Sequence, residues 1–158
     1  MHDHLDRNLI GYGPETPDPQ WPKGARIAVS FVLNYEEGGE NTILNGDPAS
    51  ETFLSETPGG TPIAGGRDLS TESMYEYGSR AGFWRILRLF AERDMRFTSW
   101  AIGRALELNP AAGKAMAAAG HEVASHGWRW INYKDFTLEQ ELDHMRRAVK
   151  AIAASAGK

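Results

Sequence analysis

Cysteine is absent from all 158 residues, which excludes disulfides, thiolate metal centres and a cysteine nucleophile together. Long apolar runs are absent too. Nothing approaches the roughly 18 consecutive apolar residues that a membrane span requires, so a soluble, cytoplasmic protein with no membrane partner is expected. No block of like charge interrupts the chain, in which 17 Lys and Arg stand against 21 Asp and Glu for a formal charge of −4. A nucleic-acid partner is therefore not expected. The glycine spacing of a phosphate loop is also missing, since Pro58-Gly59-Gly60-Thr61-Pro62 and Gly65-Gly66 fit neither G-x-G-x-x-G nor G-x-x-x-x-G-K. His2 and His4 lie on a polar N-terminus and read as solvated side chains.

What is present is enough apolar material, 41% of residues, to fill one core. Residues 1–24 carry Pro14, Pro17, Pro19 and Pro22 without a helical or strand period, and read as an arm ahead of a single domain over 25–158. Residues 25–33 are β-branched and almost continuously apolar, the pattern of a strand buried on both faces of a parallel sheet. Asn34-Tyr35-Glu36-Glu37-Gly38-Gly39-Glu40 then places two adjacent carboxylates at that strand's carboxyl end. Residues 45–73 are rich in Gly, Pro, Ser and Thr, and a loop of that length inside a compact domain points to a lid or binding loop.

Ser79 is expected to cap a helix whose Phe83, Ile86, Leu87 and Phe90 share one face. A second strand over 95–102 follows. Pro110 opens an alanine-rich helix ending at Gly120, and residues 121–125 form a third strand. Thr137-Leu138-Glu139-Gln140 is a capping box, starting a helix with Leu142, Met145, Val149 and Ile152 on its core face. Strands alternating with helices in this order predict a parallel α/β sheet with right-handed crossovers, the start of a barrel or an open doubly wound sheet. His121 reads as structural and His144 as a surface residue.

In a parallel α/β barrel the chemistry collects on loops at the carboxyl ends of the strands. Two such loops carry candidates: Glu36-Glu37 after the first strand, and His126-Gly127-Trp128-Arg129-Trp130 after the third. An acidic pair followed by glycine, together with Gly-His-Glu-x-x-x-His further on, resembles the polysaccharide deacetylase family. Glu36-Glu37-Gly38-Gly39-Glu40, Glu72-Ser73-Met74-Tyr75-Glu76-Tyr77-Gly78 and Ser125-His126-Gly127-Trp128-Arg129-Trp130 resemble most closely its metal-independent allantoinase branch. The resemblance covers essentially the whole chain.

The resemblance implies a partial (β/α) barrel, the N-terminal half of the family's domain, and a hydrolase of non-peptide C–N bonds acting on a small ureide or N-acetyl substrate. By position it makes Glu36 the general base, Glu37 the counterpart of a metal carboxylate, His126 the first histidine and Trp130 the second. Tryptophan offers only an N–H donor and ligates no cation, so no metal cofactor is expected, zinc being the less favoured alternative. The catalytic candidates are then Glu36, Glu37 and His126, with either glutamate accepting the water proton while the other's nearness keeps one of the pair protonated, and His126 polarising the carbonyl or shuttling the proton. Trp128, Arg129 and Trp130 are the candidates for shaping and hydrogen-bonding the substrate. Three parallel strands cannot close a barrel, and an open sheet edge favours association, so a homo-oligomer is expected. A metal-dependent sugar N-deacetylase and a non-catalytic binding module are the alternatives.

Overall fold

The computed structural model describes residues 9–157, so His2, His4 and the first part of the arm lie outside the described residues. Three short strands, β1 (Val32–Tyr35), β2 (Thr98–Ala101) and β3 (Glu122–Ser125), form a parallel sheet in chain order. Their register aligns Val32 with Thr98 and Glu122, and Tyr35 with Ala101 and Ser125. Helices connect them: α1 (Leu69–Tyr77), a π-helical turn over Gly78–Gly82, α2 (Phe83–Ala91), α3 (Gly103–Leu108), α4 (Pro110–Ala118) and α5 (Leu138–Ala156). This is the expected α/β architecture. No helix among the described residues is long and apolar enough to cross a membrane.

Side chains alternate across a strand, and with the strands in register that alternation divides the sheet cleanly. Leu33, Tyr35, Ser99, Ala101 and Val123 point into the helical layer, where Tyr35 and Ala101 join Phe83, Phe97, Ile102, Leu106 and Met116 in the core. Val32, Asn34, Trp100 and Glu122 belong to the opposite, open face and are exposed. Any residue continuing the open-face parity past a strand end emerges on that side at the carboxyl rim.

Several expectations are corrected. The first strand is Val32–Tyr35, not the whole of 25–33, and Ile27 and Val29 are 72% and 66% exposed. The β2 ladder reaches back only to the Phe31 carbonyl, which accepts from Thr98 N–H at 2.9 Å, so the earlier apolar residues have no strand to lie against among the described residues. The helix attributed to Ser79 begins eleven residues earlier, with Asp68 as its cap: Asp68 Oδ1 accepts from Thr71 N–H at 3.1 Å. Ser79 sits inside the π turn. The loop thus ends at 68, and its start holds a 3-10 turn, Ile43–Asn45. α3, directly after β2, was not anticipated. His144 is half-buried, within 3.0 Å of the Tyr133 hydroxyl.

The capping box of α5 forms in both directions, Thr137 N–H donating to Gln140 Oε1 at 2.8 Å and Gln140 N–H to Thr137 Oγ1 at 3.3 Å. Its inward face differs from expectation. Ala148, Ala151, Ile152 and Ser155 are buried, whereas Leu142, Met145 and Val149 are exposed. Small residues win because they allow close backbone approach: a Cβ added at Gly103 would stand 2.8 Å from Ala148 Cα, and one at Gly113 2.6 Å from Ser155 Oγ. Overpacking such a contact typically costs about 1–3 kcal/mol. Gly103→Ala is therefore expected to lower the thermal midpoint by several degrees in a circular dichroism melt, and an unchanged midpoint would contradict this close packing.

His121 is buried beneath β2, its ring stacked on Phe97 at 3.7 Å and its Nδ1 accepting from Phe97 N–H at 3.2 Å. Burial, and then the nearby Arg96 charge, push its pKa below the ordinary 6.5. The folded value lies below the unfolded one, so the unfolded chain takes up the proton first and this residue's contribution to stability is lost as pH falls through the unfolded value. The stability advantage of wild type over His121→Gln should shrink between about pH 7.5 and about pH 5.5, measured by urea denaturation. A constant difference would show that His121 titrates alike in both states.

Candidate active site

β1 ends at Tyr35, whose ring is in the core and whose hydroxyl accepts from Asn109 Nδ2 at 2.9 Å and lies 3.3 Å from Ser79 Oγ. With Tyr35 anchored inward, the next residue takes the open-face parity of Asn34. That residue is Glu36. β3 ends at Ser125, and His126 is held at the same rim because its N–H donates to Ala101 O at 3.0 Å. Gly127 then turns the chain with φ +87°, a left-handed conformation that glycine adopts without steric cost.

These two strand ends bring Glu36 Oε1 to 3.0 Å from His126 Nε2. Asn34 Nδ2 donates to the same carboxylate oxygen at 3.3 Å, and the Trp100 ring lies 5.4 Å from the imidazole at an interplanar angle of 35°. Burial raises the Glu36 pKa above its ordinary value, opposed by the His126 charge and then by the hydrogen bonds from Asn34 and His126. The result is a half-buried acid–base pair with an aromatic wall, on the open face of the sheet.

Glu37 has the opposite parity and turns under the π turn. Its Oε2 accepts from Glu36 N–H at 3.2 Å, and a Cβ at position 78 would lie 2.3 Å from its Oε1, so a side chain there would displace this carboxylate. Burial raises its pKa most, its own and the Glu36 backbone N–H groups oppose this, and the Glu36 and Glu40 charges add to the rise. Glu37 lines a cavity of about 190 Å³ with Glu40, Glu72, Tyr75, Ser79 and Asn109. Neither Glu36 nor His126 lines it. The structure thus joins Glu36 to His126 and gives Glu37 a neighbouring compartment on the other side of the strand.

The three residues after Gly127 reach different surroundings. Trp128 is buried against Ala148 and Ala151 of α5, with the Arg147 guanidinium 4.0 Å above its ring. Arg129 is buried and makes four hydrogen bonds: its Nε donates to Gly39 O at 3.3 Å, its Nη2 to Glu40 O at 2.8 Å, and its guanidinium pairs with both Asp47 oxygens at 3.1 and 2.5 Å. The Trp130 backbone N–H donates to Gly39 O at 3.0 Å while its ring packs on Phe53, centroids 5.5 Å apart. Asn34 and Trp100 were not singled out from sequence. Strand parity was the signal, since both stand two residues or a register step from Glu36 and His126 on the same face.

A divalent metal would need a carboxylate and two histidines here, or another compact donor set. Glu37 and His126 diverge, Trp130 supplies no lone pair, and among the described residues no three His, Asp or Glu side chains gather closely enough to hold an ion. Among the described residues, Glu37, His126 and Trp130 do not together make up the donor set of a tetrahedral metal centre.

A family model described as polysaccharide deacetylase matches residues 68–158. A Schizosaccharomyces pombe protein assigned to the polysaccharide deacetylases is 50% identical over 149 residues, 92% of this chain and 46% of that protein. The crystal structure of PuuE allantoinase superposes with a TM-score of 0.89 at 53% identity, over 96% of this chain and 50% of that one. A Pseudomonas aeruginosa PAO1 structure, also assigned to the polysaccharide deacetylases, gives 0.89 at 51% identity over 96% of this chain and 51% of its own. The chain spans about half the length of each of these relatives. With more than half of its residues matched by the family model, over the segment that carries β2, β3 and His126, the chain belongs to the polysaccharide deacetylase family.

Proposed function

We propose that this chain carries the acid–base half of a hydrolase that opens a cyclic amide or ureide, and that Glu36 and His126 are its working pair. The observation supporting this reading most strongly is their 3.0 Å contact on the open sheet face. Glu36 accepts a proton from water as the water oxygen attacks the carbonyl carbon. A tetrahedral intermediate with an anionic oxygen results. Glu36 returns that proton to the ring nitrogen as the C–N bond breaks, with His126 Nε2–H donating to its carboxylate throughout, and the freed carboxylic acid loses its proton to water, leaving a carboxylate and a free ureido nitrogen. A carboxyl group raised by burial is a stronger base than an ordinary one, which suits proton abstraction near neutrality. Trp100 offers a flat wall to a small planar ring. Likeness to PuuE allantoinase at 53% identity supports a ureide, as does a donor set unsuited to the metal of a sugar N-deacetylase.

Glu36→Gln and His126→Gln should each lower kcat/KM for allantoin by about 10²–10⁴-fold with an unchanged far-ultraviolet circular dichroism spectrum, and chelator should leave the rate unaltered. Rate should rise with pH through an apparent pKa above the ordinary carboxylate value of 4.5, because the base acts only when ionised. Zinc-dependent release of acetate from N-acetylglucosamine oligomers, with no ureide consumed, would contradict the proposal.

A further inference from the structure

A second cavity of about 340 Å³, which neither Glu36 nor His126 lines, is bordered by Leu44, Asn45, Arg104, Trp128, Arg129, His144 and Arg147. Three guanidiniums and an imidazole on one polar cavity are out of keeping with a chain of formal charge −4. Arg129 is neutralised there by Asp47. The other two cations have weaker partners: Arg104 meets Glu107 at 3.4 Å and Arg147 meets Asp143 at 3.9 Å, both partly exposed pairs within one helix, a kind that contributes little. Both guanidiniums are nonetheless oriented. Arg104 Nε donates to Asn45 Oδ1 at 3.3 Å, and Arg147 stacks over Trp128 at 4.0 Å, which fixes its plane and leaves its edge N–H groups available. His144 uses Nδ1 toward Tyr133 at 3.0 Å, and its Nε2 has no hydrogen-bond partner among the described residues.

We infer that this cavity is a binding site for a small oxyanion, a phosphate or carboxylate group held by Arg104 and Arg147 with His144 as a third donor. Planar guanidinium forks match such groups two oxygens at a time, and charge-assisted hydrogen bonds of this kind are the strong ones. The site stands apart from the catalytic reading, since none of its residues is Glu36 or His126.

The experiment is a thermal-shift titration of the 158-residue chain with inorganic phosphate and, separately, acetate, against sodium chloride at equal ionic strength. Ligand binding to the folded state raises the midpoint in a saturable way. The expected result is a saturable rise with phosphate, acetate or both, distinguishing phosphate from carboxylate as the source, and none with chloride. Apparent affinity should fall about tenfold or more in an Arg104→Gln/Arg147→Lys variant that keeps one charge above Trp128, and stay unchanged in Glu36→Gln. The His144 ring proton resonances should move with phosphate in the wild-type chain, which decides the matter should the double variant not fold. An equal rise with chloride, an undiminished response in the folded double variant, or unmoved His144 resonances would overturn the assignment.

Discussion

One guanidinium, that of Arg129, ties the loop after β1 to the loop after β3. A buried cation requires paired and hydrogen-bonded surroundings to be tolerated, and Arg129 finds all of them on a segment 82 to 90 residues away in sequence: Gly39 O, Glu40 O and both Asp47 oxygens. The Trp130 backbone N–H adds a further bond to Gly39 O. Gly39 in turn donates its N–H to Glu36 O at 2.8 Å. The clamp and this turn together set where the Glu36 backbone stands relative to His126, three residues before Arg129. Local strand geometry aims the two side chains. The clamp fixes the gap between them.

The helical layer supports the same rim from beneath. α3 begins immediately after β2, and its first amides reach the β3 loop: Gly103 N–H donates to Gly127 O at 2.9 Å and Arg104 N–H to Trp128 O at 3.0 Å. α3 and α4 both lie close to α5, which the glycines at the Gly103–Ala148 and Gly113–Ser155 contacts permit. Packing of small residues is therefore connected to the site through main-chain hydrogen bonds. A helix face of larger side chains would hold the two backbones farther apart.

Strand-helix alternation, the two rim loops and both halves of the α5 cap were legible in the sequence because each depends on neighbours within a few positions. The extent of β1 was not, because an apolar run says that a strand wants cover and cannot say where its partner ends. The inward face of α5 was misread for a related reason: Leu142, Met145 and Val149 are the larger apolar residues, but the distance to Gly103 selects the alanines. Asp68 as the cap of α1 was hidden by the glycine-rich composition before it. Within the site, Glu36 and His126 were marked by their places after buried strands, and the adjacency of Glu36 and Glu37 suggested a joint role. Strand parity separates them. Arg129 was expected beside the substrate, and its salt bridge to Asp47 rests on a tertiary contact that no local pattern carries.

The arrangement implies a definite protonation of His126: with Glu36 Oε1 at 3.0 Å from Nε2, the ring proton belongs on Nε2. A long-range ¹H–¹⁵N spectrum of the histidine-labelled chain reads this directly. The expected result is the Nε2–H form of neutral His126 in the wild type, redistributed toward a mixture in an Arg129→Lys variant that retains its far-ultraviolet spectrum. An Nδ1–H form in the wild type, or identical His126 signals with and without the Arg129 clamp, would contradict it.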